Sequence, residues 1–344
     1  MRLRVFRCSD TARRLGAFGT RLGPKIRTDL PPATLGWAEG RALEARMLSS
    51  APQGKPAVGI GYRAAIDEWT RRELHRFDVL EITVDHCLNG SKSTQSAILD
   101  LVGTVPLTAH GIGLSIGTDV PIDLGYLDRI AELVDCLKAP AYSEHLAFTR
   151  VPGRDLANLL PLPQTEEVAE SIIAKIRTVQ SRIGVPFLLE NITYLFTWPN
   201  SQLSDAEFLC MICGETGAGL LLDIENLYLN SCNHGFDPVE FIDALPPGLV
   251  KEIHLAGGIT VEDDAHKSVL ADTHSHPLPG ELFTLLDRVL DRHTPAAIIL
   301  ERDERLGATD EILSDVTRIR SHLAGRRAGG LHVDPLIAPA SQSA

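Results

Sequence analysis

The sequence is poor in cysteine and has no long apolar run. Six cysteines are scattered over 344 residues, which is too few for a disulfide scaffold and predicts a reducing cytoplasm. No apolar stretch approaches the roughly 18 residues of a membrane span, and the N-terminus lacks the apolar core of a secretory signal. Cys210 and Cys213 have C-x-x-C spacing, but without a second pair or a thioredoxin-like context we expect buried structural thiols.

Net positive charge is also lacking. The chain has 33 Lys and Arg against 45 Asp and Glu, which gives a formal charge of -12. Such a balance argues against non-specific binding of nucleic acid or of an anionic membrane. It leaves a small-molecule or peptide substrate open.

Residues 1–50 differ from the rest because they are basic and rich in arginine. We predict that this segment lies outside the fold, as a disordered extension, a transit peptide or sequence upstream of a true start such as Met47. Residues 55–325 are predicted to form one domain. Residues 326–344 are rich in small residues and are predicted to be a disordered tail.

From residue 57 onwards, short apolar runs alternate with helix-length amphipathic segments. Continuous apolar runs are typical of parallel strands buried on both faces, and strands alternating with helices predict a parallel sheet. Eight such units predict an α/β protein with a (β/α)8 TIM barrel. The alternative is an open doubly wound sheet, but the first turn lacks the third glycine of a dinucleotide fingerprint. The eight predicted strands are 57–62, 78–83, 106–110, 141–145, 186–191, 219–223, 251–255 and 297–301, and the main helices are 126–137, 166–183, 205–214, 238–244, 280–290 and 309–323.

The predicted strands end in residues that bind metals. In a barrel these ends converge on the C-terminal mouth, where active sites of this fold lie. A ring of buried carboxylates and imidazoles is costly without positive charge at its centre, and Arg63 and Arg302 are the obvious basic residues nearby. We therefore predict more than one bound metal ion, and mixed oxygen and nitrogen ligands without thiolate favour iron, manganese or zinc. These strand-end residues are His110, Glu144, His145, Glu190, Asn191, Asp223, His254 and Glu301.

Loops add further candidates. Asp272-Thr273-His274-Ser275-His276 follows the seventh strand, and His234 is predicted to lie on the loop after the sixth. The alternative for each is a solvated or helix-capping residue. Because neighbours on a strand face opposite sides, His145 is expected to point away from Glu144 and to have a supporting role.

Several motifs together resemble the DUF692 family, the multinuclear non-haem iron-dependent oxidative enzymes. The resemblance covers about residues 55–305. It rests on motifs that occur here in order: SEHLAF at 143–148, LLEN at 188–191, LLLDxxNxYxN at 220–230, NHGFDP at 233–238, IHLAG at 253–257 and DTHxHP at 272–277.

The resemblance implies a barrel of the xylose-isomerase-like superfamily with two or three iron ions. It also implies O2-dependent modification of a ribosomally made precursor peptide, commonly at cysteine, often with a small partner protein that binds the leader. Glu190 and His276 are expected to lie just outside the ligand set, and Glu144 and Asp223 are the expected bridging carboxylates. The implied ligands are His110, Glu144, Asn191, Asp223, His234, His254, Asp272, His274 and Glu301.

The sequence departs from the family pattern at two places. Thr83 stands where relatives commonly have a histidine, and His86 lies three residues further on. Gly257 and Gly258 stand where relatives often read Gly-His. The first departure leaves open whether two or three ions bind.

Two other classes of function compete with an iron oxidase. One is a redox-neutral enzyme on the same barrel, either a divalent-metal sugar isomerase or a two-metal phosphodiester hydrolase. A DNA-acting hydrolase would want a basic face, and a sugar isomerase often uses a lysine that no strand end supplies here. The other is a metal-dependent scaffold without catalytic activity.

Overall fold

A computed structural model describes residues 55–262 and 268–328. The predicted N-terminal extension lies outside the described residues, and so does the tail from residue 329 onwards. The domain boundaries predicted from the sequence therefore stay predictions.

Eight parallel strands close into a barrel, which confirms the predicted fold. The strands are β1 (Ala57–Gly61), β2 (Val79–Thr83), β3 (Leu107–Gly111), β4 (Tyr142–His145), β5 (Phe148–Val151), β6 (Arg154–Leu160), β7 (Phe187–Glu190), β8 (Gly219–Asp223), β9 (Val250–Leu255), β10 (Ile259–Glu262), β11 (Ser268–Ala271) and β12 (Ala297–Leu300). The order around the barrel is β1-β2-β3-β4-β7-β8-β9-β12, and β12 pairs with β1 to close it. Two antiparallel hairpins, β5–β6 and β10–β11, interrupt the alternation after β4 and β9.

Helices connect the strands and begin at recognisable caps. Ser204 and Glu207 form a reciprocal capping box at the start of the helix Asp205–Thr216, and Thr165 caps the helix Glu166–Gln180. Within the described ranges, no helix is both long and apolar enough to cross a membrane. The helices are α1 (Asp67–Arg72), α2 (Val84–Leu88), α3 (Lys92–Leu99), α4 (Leu124–Leu137), α5 (Glu166–Gln180), α6 (Asp205–Thr216), α7 (Ile224–His234), α8 (Pro238–Ala244), α9 (Glu281–Arg292) and α10 (Thr309–Ala328), with 3-10 turns at Ala64–Ile66 and Leu74–Arg76.

The core has two parts. The larger packs the outward faces of the strands against the helices. The smaller fills the N-terminal end of the barrel with Val79, Ala297 and Ile299, against which Ala57 packs. Gly59 lets β1 approach β2 closely, because a Cβ there would lie 1.9 Å from the carbonyl oxygen of Val79. The same interior becomes polar towards the C-terminal mouth.

Helix α7 and the two hairpins were not predicted. The sequence of α7 is rich in asparagine, and Glu225, Asn226 and Asn230 are buried in it, so its apolar periodicity is weak. His234, predicted on a loop, is in fact the last residue of α7. Side chains of this helix turn towards the barrel mouth, where polar contacts replace an apolar stripe.

Candidate metal centre

Acids and imidazoles form three groups at the mouth. In each group the potential ligand atoms lie within 4.8 Å of one another. The first group contains His110, His145 and Glu190; the second contains Glu190, Asp223, His254 and Glu301; the third contains Glu225, Asp272 and His274.

Glu190, at the end of β7, belongs to both of the first two groups. Its Oε2 lies 3.3 Å from Nε2 of His110 and 3.2 Å from Nε2 of His145. Its Oε1 lies 3.2 Å from Nδ1 of His254. The two oxygens of one carboxylate therefore face different sets of nitrogens, as a carboxylate that bridges two ions would require.

The four imidazoles are each held at one ring nitrogen by a group outside the clusters. The other nitrogen is left to face the carboxylates. Such partners fix the orientation and tautomer of ligand histidines. The holding contacts are His110 Nδ1 to Ser143 Oγ (2.9 Å), His145 Nδ1 to Gly111 O (3.0 Å), His274 Nδ1 to Asp303 Oδ2 (3.1 Å) and His254 Nε2 to Glu81 Oε2 (2.8 Å).

Protonation is uneven across the mouth. Burial alone raises the pKa of Glu190, but three surrounding imidazoles outweigh it and bring the pKa to about 2. Burial raises the pKa of Asp223 well above its usual range and the pKa of Glu225 to about 8. Burial lowers the pKa of His254, yet Glu81, Glu301 and Glu190 together raise it well above the ordinary value. The negative charge of the acids at the mouth thus exceeds the positive charge that the imidazoles provide.

Several buried atoms in these groups lack a hydrogen-bond partner. They are aimed into the groups rather than at the surrounding fold. Since buried polar atoms are normally satisfied, these unpartnered atoms fit cations as their missing partners. These atoms are Oε2 of Glu190, Oδ2 of Asp223, both carboxylate oxygens of Glu225 and Nδ1 of His254.

The third group lies nearer to solvent. Nε2 of His274 is 2.8 Å from Oδ1 of Asp272 and 3.7 Å from Oε2 of Glu225. The backbone of His274 has φ of +44°, a left-handed conformation that is costly outside glycine and is often found at functional sites. Asp303 holds the other side of the ring and is itself paired with Arg63, whose Nε lies 2.7 Å away.

Two predicted ligands are occupied elsewhere. Asn191 bonds to the backbone of Asp223, donating to its carbonyl oxygen at 2.9 Å and accepting from its N–H at 3.0 Å. His234 contacts the carbonyl oxygen of Tyr194 at 2.9 Å and stacks on the Tyr194 ring. His234 does not belong to the three groups, and the roles of both residues as ligands stay predictions.

The expected orientation of Glu144 and His145 is reversed in the structure. Oε2 of Glu144 accepts from the Tyr142 hydroxyl at 2.7 Å and from the Leu114 N–H at 3.4 Å, so Glu144 faces the layer outside the barrel. His145 turns inward to Glu190 instead. Because neighbouring residues on a strand point to opposite faces, either Glu144 or His145 had to face inward. The sequence alone did not show which of them does.

The structure shows what surrounds the two positions at which the sequence departs from the family pattern. Thr83 is buried and pairs in register with His110, while His86 is exposed on α2 and belongs to none of the three groups. A Cβ at Gly258 would lie 2.3 Å from the Ala271 carbonyl oxygen and 2.9 Å from Oε1 of Glu225. The hairpin therefore leaves no room for a side chain there.

Some members of the groups were not among the predicted ligands. Glu190 was expected just outside the ligand set and belongs to two of the groups, and His145 was expected in a supporting role and belongs to one. Glu225 follows Asp223 at the start of α7, and only the helix brings it back to the mouth. His276, predicted beside the ligands, contacts the Ser275 hydroxyl through Nδ1 at 2.7 Å.

The fold and the three groups define a TIM-barrel protein whose candidate site is a cluster of nitrogen and oxygen ligands that could bind metal. The chain matches, over residues 57–324, the family described as "RiPP precursor modification enzyme MbnB/TglH/ChrH", and it belongs to that family.

Relatives are similar to this chain over most of its length, and solved structures share its fold. A UPF0276 protein of Caulobacter vibrioides is 33% identical over 270 residues, covering 78% of this chain and 93% of that protein. A UPF0276 protein of Vibrio vulnificus is 30% identical over 281 residues, covering 82% and 95%. A structure of L-ribulose 3-epimerase has a TM-score of 0.51 at 16% identity, covering 79% of this chain and 96% of that one. A xylose isomerase-like TIM barrel protein from Mycobacterium smegmatis, in complex with magnesium, has a TM-score of 0.51 at 14% identity, covering 77% and 90%. At these identities the structures show a shared fold alone.

Proposed function

We propose that the protein is a multinuclear non-haem iron-dependent oxidase that uses O2 to modify a ribosomally made peptide at cysteine. The observation that carries the proposal is the group of His110, His145 and Glu190. Two imidazoles with one carboxylate and open positions are typical of non-haem Fe(II) oxygenases. Glu190 extends this group to the four residues that also include Asp223, His254 and Glu301.

The protein's own residues would position and neutralise the ions. Bound iron would supply the redox chemistry with O2 and would deprotonate a coordinated thiol. Glu190 would connect two ions, and the imidazoles would each offer the nitrogen that is not already held. Arg63 pairs with Glu301 and Asp303 at 3.3 and 2.6 Å, which would keep those carboxylates directed at the mouth.

Two or three ions are proposed. The first two groups share Glu190, and Glu225, Asp272 and His274 form the third. Thr83 stands where a relative's histidine would add a ligand, so one position would be served by fewer protein ligands than in relatives. The roles predicted for Glu144, Asn191 and His234 rest on resemblance.

The proposed substrate is a precursor peptide, with a small leader-binding protein as a possible partner. Membership in a family of peptide-modifying enzymes supports the first part. The acidic balance of the chain gives no support to nucleic acid as a substrate. A cytoplasmic location is proposed as well, because the five cysteines in the described part of the chain are free.

The competing proposal is a redox-neutral isomerase or phosphodiester hydrolase on the same barrel. Its support is the likeness to an epimerase structure, which extends to the fold alone. None of the eight barrel strands ends in a lysine, which a sugar isomerase often uses. An oxidase consumes O2 and a redox-neutral enzyme does not, so a measurement of iron-dependent O2 uptake distinguishes the two proposals.

The test combines the purified protein, Fe(II) and cysteine-containing peptides encoded beside its gene, with and without any adjacent small protein. We expect O2 consumption and a mass change in the peptide. The same peptide with Ser in place of Cys is the matched control and should be unchanged. Zinc-loaded protein should consume no O2. Absence of O2 uptake with every peptide, together with epimerisation of a ketose by Mn(II)-loaded protein, would overturn the proposal.

A further inference from the structure

His254 differs from the other three imidazoles of the site in the nitrogen that it leaves free. His110, His145 and His274 are held at Nδ1 and leave Nε2 towards the carboxylates. His254 is held at Nε2 and leaves Nδ1, which lies 3.2 Å from Oε1 of Glu190 and 3.3 Å from Oε2 of Glu301. Something must select this opposite arrangement.

The selecting contact comes from across the barrel. Glu81 lies on β2 and His254 on β9, and the two strands are separated by β1 and β12. Oε2 of Glu81 is 2.8 Å from Nε2 of His254, and both side chains are fully buried. A charge-assisted hydrogen bond of this length in a dry interior is among the stronger polar contacts of proteins.

The fold itself gives no reason for an acid at this position. Val79, two residues earlier on β2, faces the same interior and packs with Ala297 and Ile299. A buried carboxylate costs free energy unless it is paired, and Oε1 of Glu81 has no hydrogen-bond partner. An apolar residue would continue the inner core more cheaply, so the acid has another task.

We propose that Glu81 is a positioning residue which holds the Nε2–H of His254 and thereby presents Nδ1 to the ion shared by Glu190, Asp223, His254 and Glu301. The inference rests on the proposed function only in requiring a metal at that group. It does not depend on iron, O2 or a peptide. Its consequence is that Glu81, which touches no ion, sets how tightly that ion binds.

Metal affinity gives the first test, with Zn(II) as the probe and a competing chelator as the reference. Loss of the partner of a ligand imidazole typically costs about 10–100-fold in affinity, so we expect such a loss for one zinc ion in Glu81→Ala. Glu81→Gln should recover most of the affinity, because the amide oxygen accepts the same N–H. A role confined to packing would lower thermal stability in the variants without separating Ala from Gln in affinity.

Glu252→Ala is the matched control for Glu81→Ala. Glu252 is also buried in the barrel interior, two residues before His254, and in the described part of the chain no hydrogen bond links it to an imidazole. We expect zinc affinity within about 3-fold of the wild type, well below the loss predicted for Glu81→Ala. An equal loss in both variants would indicate a general effect of removing a buried carboxyl side chain from the barrel interior and would overturn the proposal.

The tautomer gives a second test that survives if Glu81→Ala fails to fold. In zinc-loaded wild-type protein labelled with ¹⁵N-histidine, long-range NMR correlations separate metal-bound Nδ1 from metal-bound Nε2, and His254→Asn identifies the signal. We expect His254 to bind through Nδ1 and to carry its proton on Nε2, in the wild type and in Glu81→Gln. Binding through Nε2 in the wild type would overturn the proposal. Because no oxygen or peptide is used, neither result depends on the proposed oxidase activity.

Discussion

The two ends of the barrel interior are built from opposite chemistry on the same eight strands. Towards the N-terminal end, Val79, Ala297 and Ile299 form a small apolar plug, and its uppermost residue, Ile299, pairs in register with His254. At the mouth, Glu190 and His254 lie among further acids and imidazoles. The change from apolar to polar side chains takes only two residues along one strand, from Val79 to Glu81 on β2. The comparison indicates that the plug holds the barrel closed while the mouth carries free energy costs that only bound cations would offset.

The strongest test of this division is at Glu190. Glu190→Gln keeps the shape but removes the charge that both of the first two groups share, so we expect loss of about two metal ions per chain. The stabilisation that added metal gives the wild type should also shrink, since it depends on ligand binding to the folded state. Elemental analysis and thermal unfolding on the same samples provide the measurement. Glu170→Gln, at an exposed position on α5, is the control and should match the wild type.

The plug should respond in the opposite way. Ile299 is fully buried, and truncating such a residue to Ala typically costs about 2–5 kcal/mol. We therefore expect Ile299→Ala to lower the free energy of unfolding by that order, measured by urea denaturation, while metal per folded chain stays unchanged. Ile299→Val should cost about 0.5–1.5 kcal/mol. A parallel loss of metal would mean that the two ends are not independent.

The sequence predicted the barrel better than the site. All eight predicted strands are confirmed, because continuous apolar runs directly reflect burial on both faces. The site depends on which way each strand-end residue faces, and register decides that. Glu144 and His145 show the difficulty, since a shift of one residue exchanges their faces.

Other residues of the site were even harder to predict from the sequence. Glu225 is brought to the mouth by α7. The inward face of this helix is polar, so its sequence lacks the apolar periodicity that predicts a helix. Glu81 contacts His254 across 173 positions of sequence, and nothing local marks that pairing. Such long-range polar contacts follow only from closure of the barrel.

The third group sharpens the comparison within the mouth itself. Asp272 is partly exposed, with 30% of its side chain accessible, so its loss should affect one ion and leave the core intact. We expect Asp272→Ala to lose activity and about one metal per chain with little change in thermal unfolding. His274→Ala should lose the same ion and a little stability, because its backbone φ of +44° is costlier for alanine. Full metal content in both variants would remove them from the site.

The smallest expected effect concerns a histidine that serves the N-terminal end of the barrel. Nδ1 of His293 accepts from the N–H groups of Gly248 and Val250 at 3.1 and 3.4 Å, just before and at the start of β9. Burial, with help from Arg292 and Lys251, lowers the pKa of His293 from 6.5 to about 4. The folded protein therefore binds this proton less readily than the unfolded chain. Its contribution to stability is complete above pH 6.5 and is lost as the pH falls towards 4.

His293→Gln removes the titration but keeps an oxygen that can accept the same backbone N–H groups. Between pH 6.5 and 4, the free energy of unfolding should fall more steeply with decreasing pH in the wild type than in this variant. The difference in slope corresponds to the uptake of up to one proton on unfolding. Urea unfolding at closely spaced pH values measures that slope. His75→Gln, at an exposed histidine, is the control and should follow the wild type. Because the acids of the mouth titrate in both proteins, only the difference between the curves belongs to His293. Identical curves would show that this end of the barrel does not contribute to acid sensitivity, which would then arise wholly from the rest of the molecule.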